Sequence, residues 1–331
     1  MNDLSADFRP PAWLANRHLQ SILPSLPLRR PAVERRTAAV IAASRPLVLD
    51  CGDGVRLLGL HAAPAAGTEC APRRLSVLLH GWEGSADSLY VLSLAHLLFK
   101  RGHDVVRLNL RDHGGTHSLN RDLFHSCRLP EVVGAVARLQ AQFPAHRLQL
   151  AGFSLGGNFC LRVGASARAA GIRIERIVAV CPVLDPATTL DALERGPAVY
   201  HRYFMHKWQR SLRLKQEAWP DHYDFGDMIG DASLRRMTER MVLKYTDYPD
   251  LATYLSGYAI TGAVLESLEA PTHVITSEDD PMILAHDLSR IARPATLELT
   301  VTPRGGHCGY MDSLRGPTWI DRKILSELTR G

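Results

Sequence analysis

A chain of 331 residues is long enough to bury a sizeable core, as one large domain or two small ones. With 46% hydrophobic and 22% charged residues, its composition is that of an ordinary soluble globular protein. The formal charge of +5 is dispersed in short pairs (Arg29-Arg30, Arg35-Arg36, Arg235-Arg236), which excludes the basic stripe of a nucleic-acid binder but leaves room for weak, transient contact with an anionic membrane surface.

The six cysteines (51, 70, 127, 160, 181 and 308) show neither paired spacing nor a C-x-x-C. No apolar run is long enough to cross a bilayer, and residues 1–7 lack a basic stretch leading into an apolar one. These features predict a soluble cytoplasmic protein with reduced thiols.

In chain order, residues 1–45 are rich in Pro and Arg and read as an arm packed on the main domain. Leu14, Leu19, Ile22 and Leu23 mark one short helix in it. Residues 46–50 and 55–60 form a strand–turn–strand around Gly52-Asp53-Gly54, whose glycines supply positive-φ positions. Strands are then expected at 75–79, 104–110, 148–151 and 176–181, alternating with helices at 86–101, 130–143 and 155–168. Short, nearly continuous apolar strands between helices predict a mainly parallel sheet covered on both faces. Residues 184–262 break the alternation, being helical in character and rich in aromatic and basic side chains. Strands return at 272–276 and 296–301, and a last helix covers 317–329. The expected organisation is an arm (1–45), an α/β core (46–183 and 263–331) and a helical cap inserted at 184–262.

The most informative stretch is Leu148-Gln149-Leu150-Ala151-Gly152-Phe153-Ser154-Leu155-Gly156-Gly157. An apolar run ending in Gly-x-Ser-x-Gly and leading into a helix is the sequence form of a nucleophile elbow. Side chains at the flanking glycines would collide with the neighbouring strand and helix as the backbone doubles back. A serine hydroxyl is a weak nucleophile and needs a base within reach. His307 follows a strand and Gly305-Gly306, a loop able to swing an imidazole over the sheet edge; most of the fifteen histidines read instead as ordinary surface or core residues. Asp279 and Asp280, just after strand 272–276, are the carboxylates able to orient that base.

Six stretches together resemble the α/β-hydrolase superfamily, and within it the bacterial YheT-like hydrolases and related lipid esterases. They are Asn16-Arg17-His18-Leu19-Gln20-Ser21-Ile22-Leu23-Pro24, His80-Gly81-Trp82-Glu83-Gly84-Ser85, residues 109–117, residues 152–158, Asp279-Asp280-Pro281 and Gly305-Gly306-His307-Cys308-Gly309-Tyr310. They span nearly the whole chain in the expected order, and residues 184–262, where substrate choice resides, match least. The resemblance implies an α/β-hydrolase fold: a mainly parallel eight-stranded sheet, helices on both faces and a helical cap insertion.

The resemblance further implies a serine hydrolase of carboxylic esters, short- to medium-chain or lipid-derived, working through an acyl-enzyme without cofactor or metal. Ser154 is then the nucleophile and His307 the base. Asp280 is preferred as the acid because it lies three residues after the small Ser277 and precedes Pro281-Met282-Ile283, which leaves Asp279 a structural part. The backbone N–H groups of Trp82 and Leu155 form the oxyanion hole, and His80 shapes its loop.

Two other patterns have bland readings. His117 and Asp122 fit a loose His-x4-Asp acyltransferase pattern but read as a surface loop, and residues 112–117 have metal-ligand types without a further ligand cluster. Cys308 reads as a packed thiol. The rival functions are acyl transfer on the same triad and a non-catalytic lipid-binding protein. Acceptor-alcohol product analysis separates the first, and the intact Ser/Asp/His set argues against the second.

Overall fold

A computed structural model describes residues 8–68 and 70–330. Residues 1–7, the start of the arm and the stretch read above for a leader, lie outside the described residues.

Eight strands form one sheet: β1 (Ser44–Asp50), β2 (Arg56–Ala62), β3 (Arg74–Leu79), β4 (Asp104–Leu108), β5 (Arg147–Phe153), β6 (Ile174–Val180), β7 (Thr272–Ser277) and β8 (Leu297–Thr302). Their order is β1-β2-β4-β3-β5-β6-β7-β8, with β2 antiparallel to both neighbours and every other pairing parallel. Side chains alternate across a strand, and the two faces sort accordingly. Val77, Leu79, Leu150, Ile177, Ala179 and Val274 join one apolar cluster, which is completed by α4 (Leu129–Gln142) and α5 (Leu155–Ser166). Leu78, Ala151, Phe153, Val178, Val180 and Ile275 join the other, against α3 (Leu89–Lys100) and α10 (Trp319–Thr329). This is the mainly parallel sheet, covered on both faces, expected from the alternation.

The arm contains more structure than its sequence suggests. The expected short helix is α1 (Arg17–Ile22), capped by Asn16, whose side chain accepts from the N–H groups of His18 and Leu19. A second helix, α2 (Arg30–Ala43), follows where no helix is expected. It buries only Val33, Thr37 and Val40, too thin a stripe to register as periodicity, and Pro31 in its first turn starts a helix there instead of breaking it. Its Arg36 donates to Ser93 on α3 (2.9 Å), and Ser93 donates to Asp321 on α10 (2.7 Å), tying three helices on one face of the sheet.

Between β6 and β7 the chain makes α6 (Pro186–Arg195), α7 (Ala198–Ala218), α8 (Leu234–Tyr245) and α9 (Leu251–Ser256). These helices have their own apolar centre, including Leu193, Trp208, Leu234, Met241 and Tyr254. The ends of the insertion meet where the Ile260 N–H donates to the Leu184 carbonyl (2.9 Å). One buried ion pair fastens it to the core: Lys215 of α7, fully buried, donates to Asp112 (2.8 Å) and to the carbonyls of Asn120 (2.7 Å) and Asp122 (3.1 Å). Among the described residues, no helix is long and apolar enough to cross a membrane.

Candidate active site

Ser154 stands at the junction of β5 and α5 with φ 54° and ψ −120°, outside the regions an L-residue prefers. Conformations of this kind cost on the order of 1–3 kcal/mol and persist only where surrounding structure imposes them. Here the Ser154 N–H donates to the Val180 carbonyl (2.9 Å), and the Ser154 carbonyl accepts from the Asn158 N–H (3.0 Å). A Cβ on Gly152 would collide with the Gly156 carbonyl, and one on Gly156 with the Leu79 carbonyl, so both glycines are required by close backbone approach. Asn158, fully buried in the next turn, donates to the carbonyls of Val183 (2.9 Å) and Tyr258 (2.8 Å) and joins the elbow to both ends of the insertion.

Asp280 follows β7 and His307 follows β8. His307 Nδ1 and Asp280 Oδ2 are 2.8 Å apart, while Asp280 Oδ1 accepts the N–H groups of Met282 (2.8 Å) and Ile283 (3.0 Å). Burial disfavours a charged His307, but the charge and hydrogen bond of Asp280 overcome it and raise the imidazole above its ordinary value. Asp279 points elsewhere, its carboxylate accepting the Gly306 N–H (2.8 Å). The two adjacent aspartates thus divide the work: Asp280 holds the ring and Asp279 holds the loop that carries it.

The loop after β3 is equally well supported. Buried His80 donates from Nδ1 to the Gly81 carbonyl (2.8 Å) and accepts the Leu110 N–H at Nε2 (3.2 Å), and burial lowers its pKa to about 4. His113 repeats the pattern with the Arg111 carbonyl (2.6 Å) and the Glu83 N–H (3.2 Å). Both are neutral struts whose ring nitrogens are already engaged. Tyr90 Oη accepts the Gly81 N–H (3.0 Å), and the Trp82 ring stacks on Phe204 of α7 with centroids 5.2 Å apart. Among the described residues, the Trp82 and Leu155 N–H groups meet no hydrogen-bond acceptor.

Ser154 and His307 line two cavities that meet at Trp82, Phe204 and Met282. One, about 840 Å³, is walled by apolar side chains of the insertion, with Leu193, Leu234 and Met241 among them. The other, a wider cleft of about 2000 Å³, runs between α7 and the segment that follows α1. Val199, Tyr203, Lys207, Arg210 and Leu214 recur at three- and four-residue steps along α7 and form one stripe facing this cleft. Across from them, burial pushes the Glu83 carboxyl up to about 8 against the pull of Lys207.

The His117 and Asp122 pattern does not assemble: His117 Nε2 pairs with Ser211 Oγ (2.9 Å), and Asp122 lies by Arg121 (3.6 Å). Asp112 and His113 are likewise taken, by Lys215 and by the backbone. What the sequence reading missed is the task of α1. Ser21 Oγ accepts the His307 N–H (2.9 Å), and buried Gln20 donates to the Met311 carbonyl (2.9 Å) and accepts its N–H (2.6 Å). A Cβ on Gly306 would collide with the Arg17 carbonyl, and one on Gly309 with the Gln20 carbonyl, so the loop bearing His307 lies directly on α1. Gln20 is the one fully buried residue of α1, whereas Leu19, read in the sequence as part of its apolar face, is exposed.

Comparison with known proteins agrees with this architecture. A family profile described as "alpha/beta hydrolase fold" matches residues 77–314. The chain belongs to the α/β-hydrolase family. It is 26% identical over 334 aligned positions to "Putative esterase YheT" of Escherichia coli (strain K12), covering 98% of this chain and 94% of that protein. Among solved structures, the Pyrococcus furiosus esterase Pf2001 superposes with a TM-score of 0.57 at 16% identity, covering 87% of this chain and 90% of that one. The 2,6-dihydroxy-pseudo-oxynicotine hydrolase reaches 0.59 at 16% identity, covering 90% and 72%. At these identities the structural likeness speaks for the fold alone.

Proposed function

We propose that this chain is a serine esterase that cleaves carboxylic esters through an acyl-enzyme, with the inserted helices acting as its cap. The observation that carries the reading is the junction of the two cavities. There Ser154, on its strained turn, lines the same two cavities as a histidine that is paired with a buried carboxylate. The YheT-like relative named as an esterase supports ester hydrolysis in general terms.

In this reading His307 Nε2 takes the Ser154 proton as Oγ attacks the ester carbonyl. Asp280 keeps the proton of the imidazole on Nδ1 and stabilises the imidazolium that forms. The Trp82 and Leu155 N–H groups receive the developing oxyanion, each contributing about 3–4 kcal/mol to the transition state. His307 then protonates the leaving alcohol and activates water for deacylation.

The narrower pocket of the insertion suits the acyl chain, and the wide cleft along α7, which carries Lys207 and Arg210, suits the alcohol portion. The six free cysteines fit work in the reducing cytoplasm. Hydrolysis of p-nitrophenyl esters from acetate to palmitate, beside Ser154→Ala, tests the proposal. Turnover that disappears in the variant is the expected result; turnover that survives in it overturns the nucleophile assignment.

A further inference from the structure

Two cysteines flank the proposed base. The Cys308 N–H donates to Cys181 Sγ (3.4 Å), and both residues have positive φ, 59° and 43°. The two sulfurs and a ring nitrogen of His307 all lie within 4.8 Å of one another. Two thiols and an imidazole are a donor set for zinc or cadmium, and metal–sulfur and metal–nitrogen bonds of about 2.3 and 2.0 Å draw such atoms together by only a small movement.

Nδ1 of the imidazole is engaged by Asp280 at 2.8 Å, so Nε2 is the nitrogen with an uncommitted lone pair. A histidine whose second nitrogen donates to a carboxylate is the usual arrangement in metal sites. His307 and Cys308 line the wide cleft, so a cation reaches them without unfolding the chain. A second trio with ligand chemistry, His273, Glu298 and Glu327, lacks this freedom. There Lys323 holds Glu327 (2.8 Å) and Arg330 holds Glu298 (3.0 Å).

We propose that Cys181, Cys308 and His307 form an inhibitory site for a thiophilic divalent cation, zinc or cadmium, with water as the fourth ligand. Binding forms two metal–sulfur bonds and one metal–nitrogen bond and releases the two thiol protons to solvent; no electrons are exchanged. It occupies the His307 Nε2 lone pair, the one that must take the Ser154 proton, so the bound enzyme cannot be acylated.

Two measurements test the site. Zinc chloride is titrated into ester hydrolysis by the full chain, with EDTA added afterwards. Cadmium is titrated into Ser154→Ala protein, with the ultraviolet cadmium–thiolate absorbance as readout. Zinc is expected to abolish hydrolysis and EDTA to restore it. Cys308→Ala and Cys181→Ala, each read against its own zinc-free rate, should raise the half-inhibiting concentration more than about tenfold, the scale on which even an outer metal-site partner acts. The cadmium absorbance should fall when Cys308→Ala is added to Ser154→Ala.

Absence of zinc inhibition, inhibition of both cysteine variants at the same zinc concentration as the unaltered chain, or an unchanged cadmium absorbance overturns the site. The cadmium readout needs no turnover, so it separates failure of this site from failure of the esterase reading. If Cys181→Ala does not fold, Cys308→Ala on the cleft wall still decides the matter.

Discussion

The loops that carry Ser154, Asp280 and His307 and the helices α6–α9 border the same space but are held by different forces. The loops are fixed by backbone-directed hydrogen bonds: Val180 to Ser154, Met282 and Ile283 to Asp280, Ser21 and Asp279 to the His307 loop. The inserted helices rest mainly on apolar packing, fastened by the buried Lys215–Asp112 pair. Directed bonds fix positions to fractions of an ångström, which proton transfer requires. Apolar packing fixes volume and tolerates substitution of like size, which suits a wall that selects substrates.

The sharpest break in this comparison comes from the loops. Ser154→Ala should lower kcat by roughly 10⁴- to 10⁶-fold with folding intact, measured by ester turnover and circular dichroism. Asp280→Asn should cost about 10⁴-fold through loss of imidazole orientation, whereas Asp279→Asn, whose amide oxygen can still accept the Gly306 N–H, should cost no more than about tenfold. Equal losses in the two would erase the division of labour between these neighbours.

On the side of the insertion, Lys215→Met leaves the Asp112 carboxylate buried without its partner and should destabilise the fold by about 3–5 kcal/mol in urea titration. A milder change, Leu234→Trp, fills the apolar pocket. Long-chain p-nitrophenyl esters should lose about tenfold or more in kcat/KM while the acetate is nearly untouched, and uniform loss at all lengths would remove the pocket from acyl binding.

The smallest effect concerns pH. His307 must be neutral to accept a proton, and Asp280 raises its pKa, so the acidic limb of kcat/KM should lie above the ordinary histidine value of 6.5. Activity is lost as pH falls through that limb. A midpoint at or below 6.5 would mean that the Asp280 charge does not reach the ring in solution.

The sheet was legible because buried parallel strands write themselves as short apolar runs, and the elbow because Gly152 and Gly156 are demanded by backbone contact within ten residues of sequence. Between Asp279 and Asp280, only the family's spacing from Ser277 favoured Asp280; both follow β7, and the turn of the chain decides which carboxylate meets the ring. Helix α2 escaped notice because its buried side is narrow. The service of Gln20 and Ser21 was hidden for another reason: their partners, Met311 and His307, lie nearly three hundred residues away, beyond the reach of any local pattern.

That last contact closes a loop of nearly three hundred residues. Helix α1 and the His307 loop are thereby one cooperative unit although no local stretch of chain connects them: α1 cannot fray without releasing the N–H groups of His307 and Met311 that Ser21 and Gln20 accept.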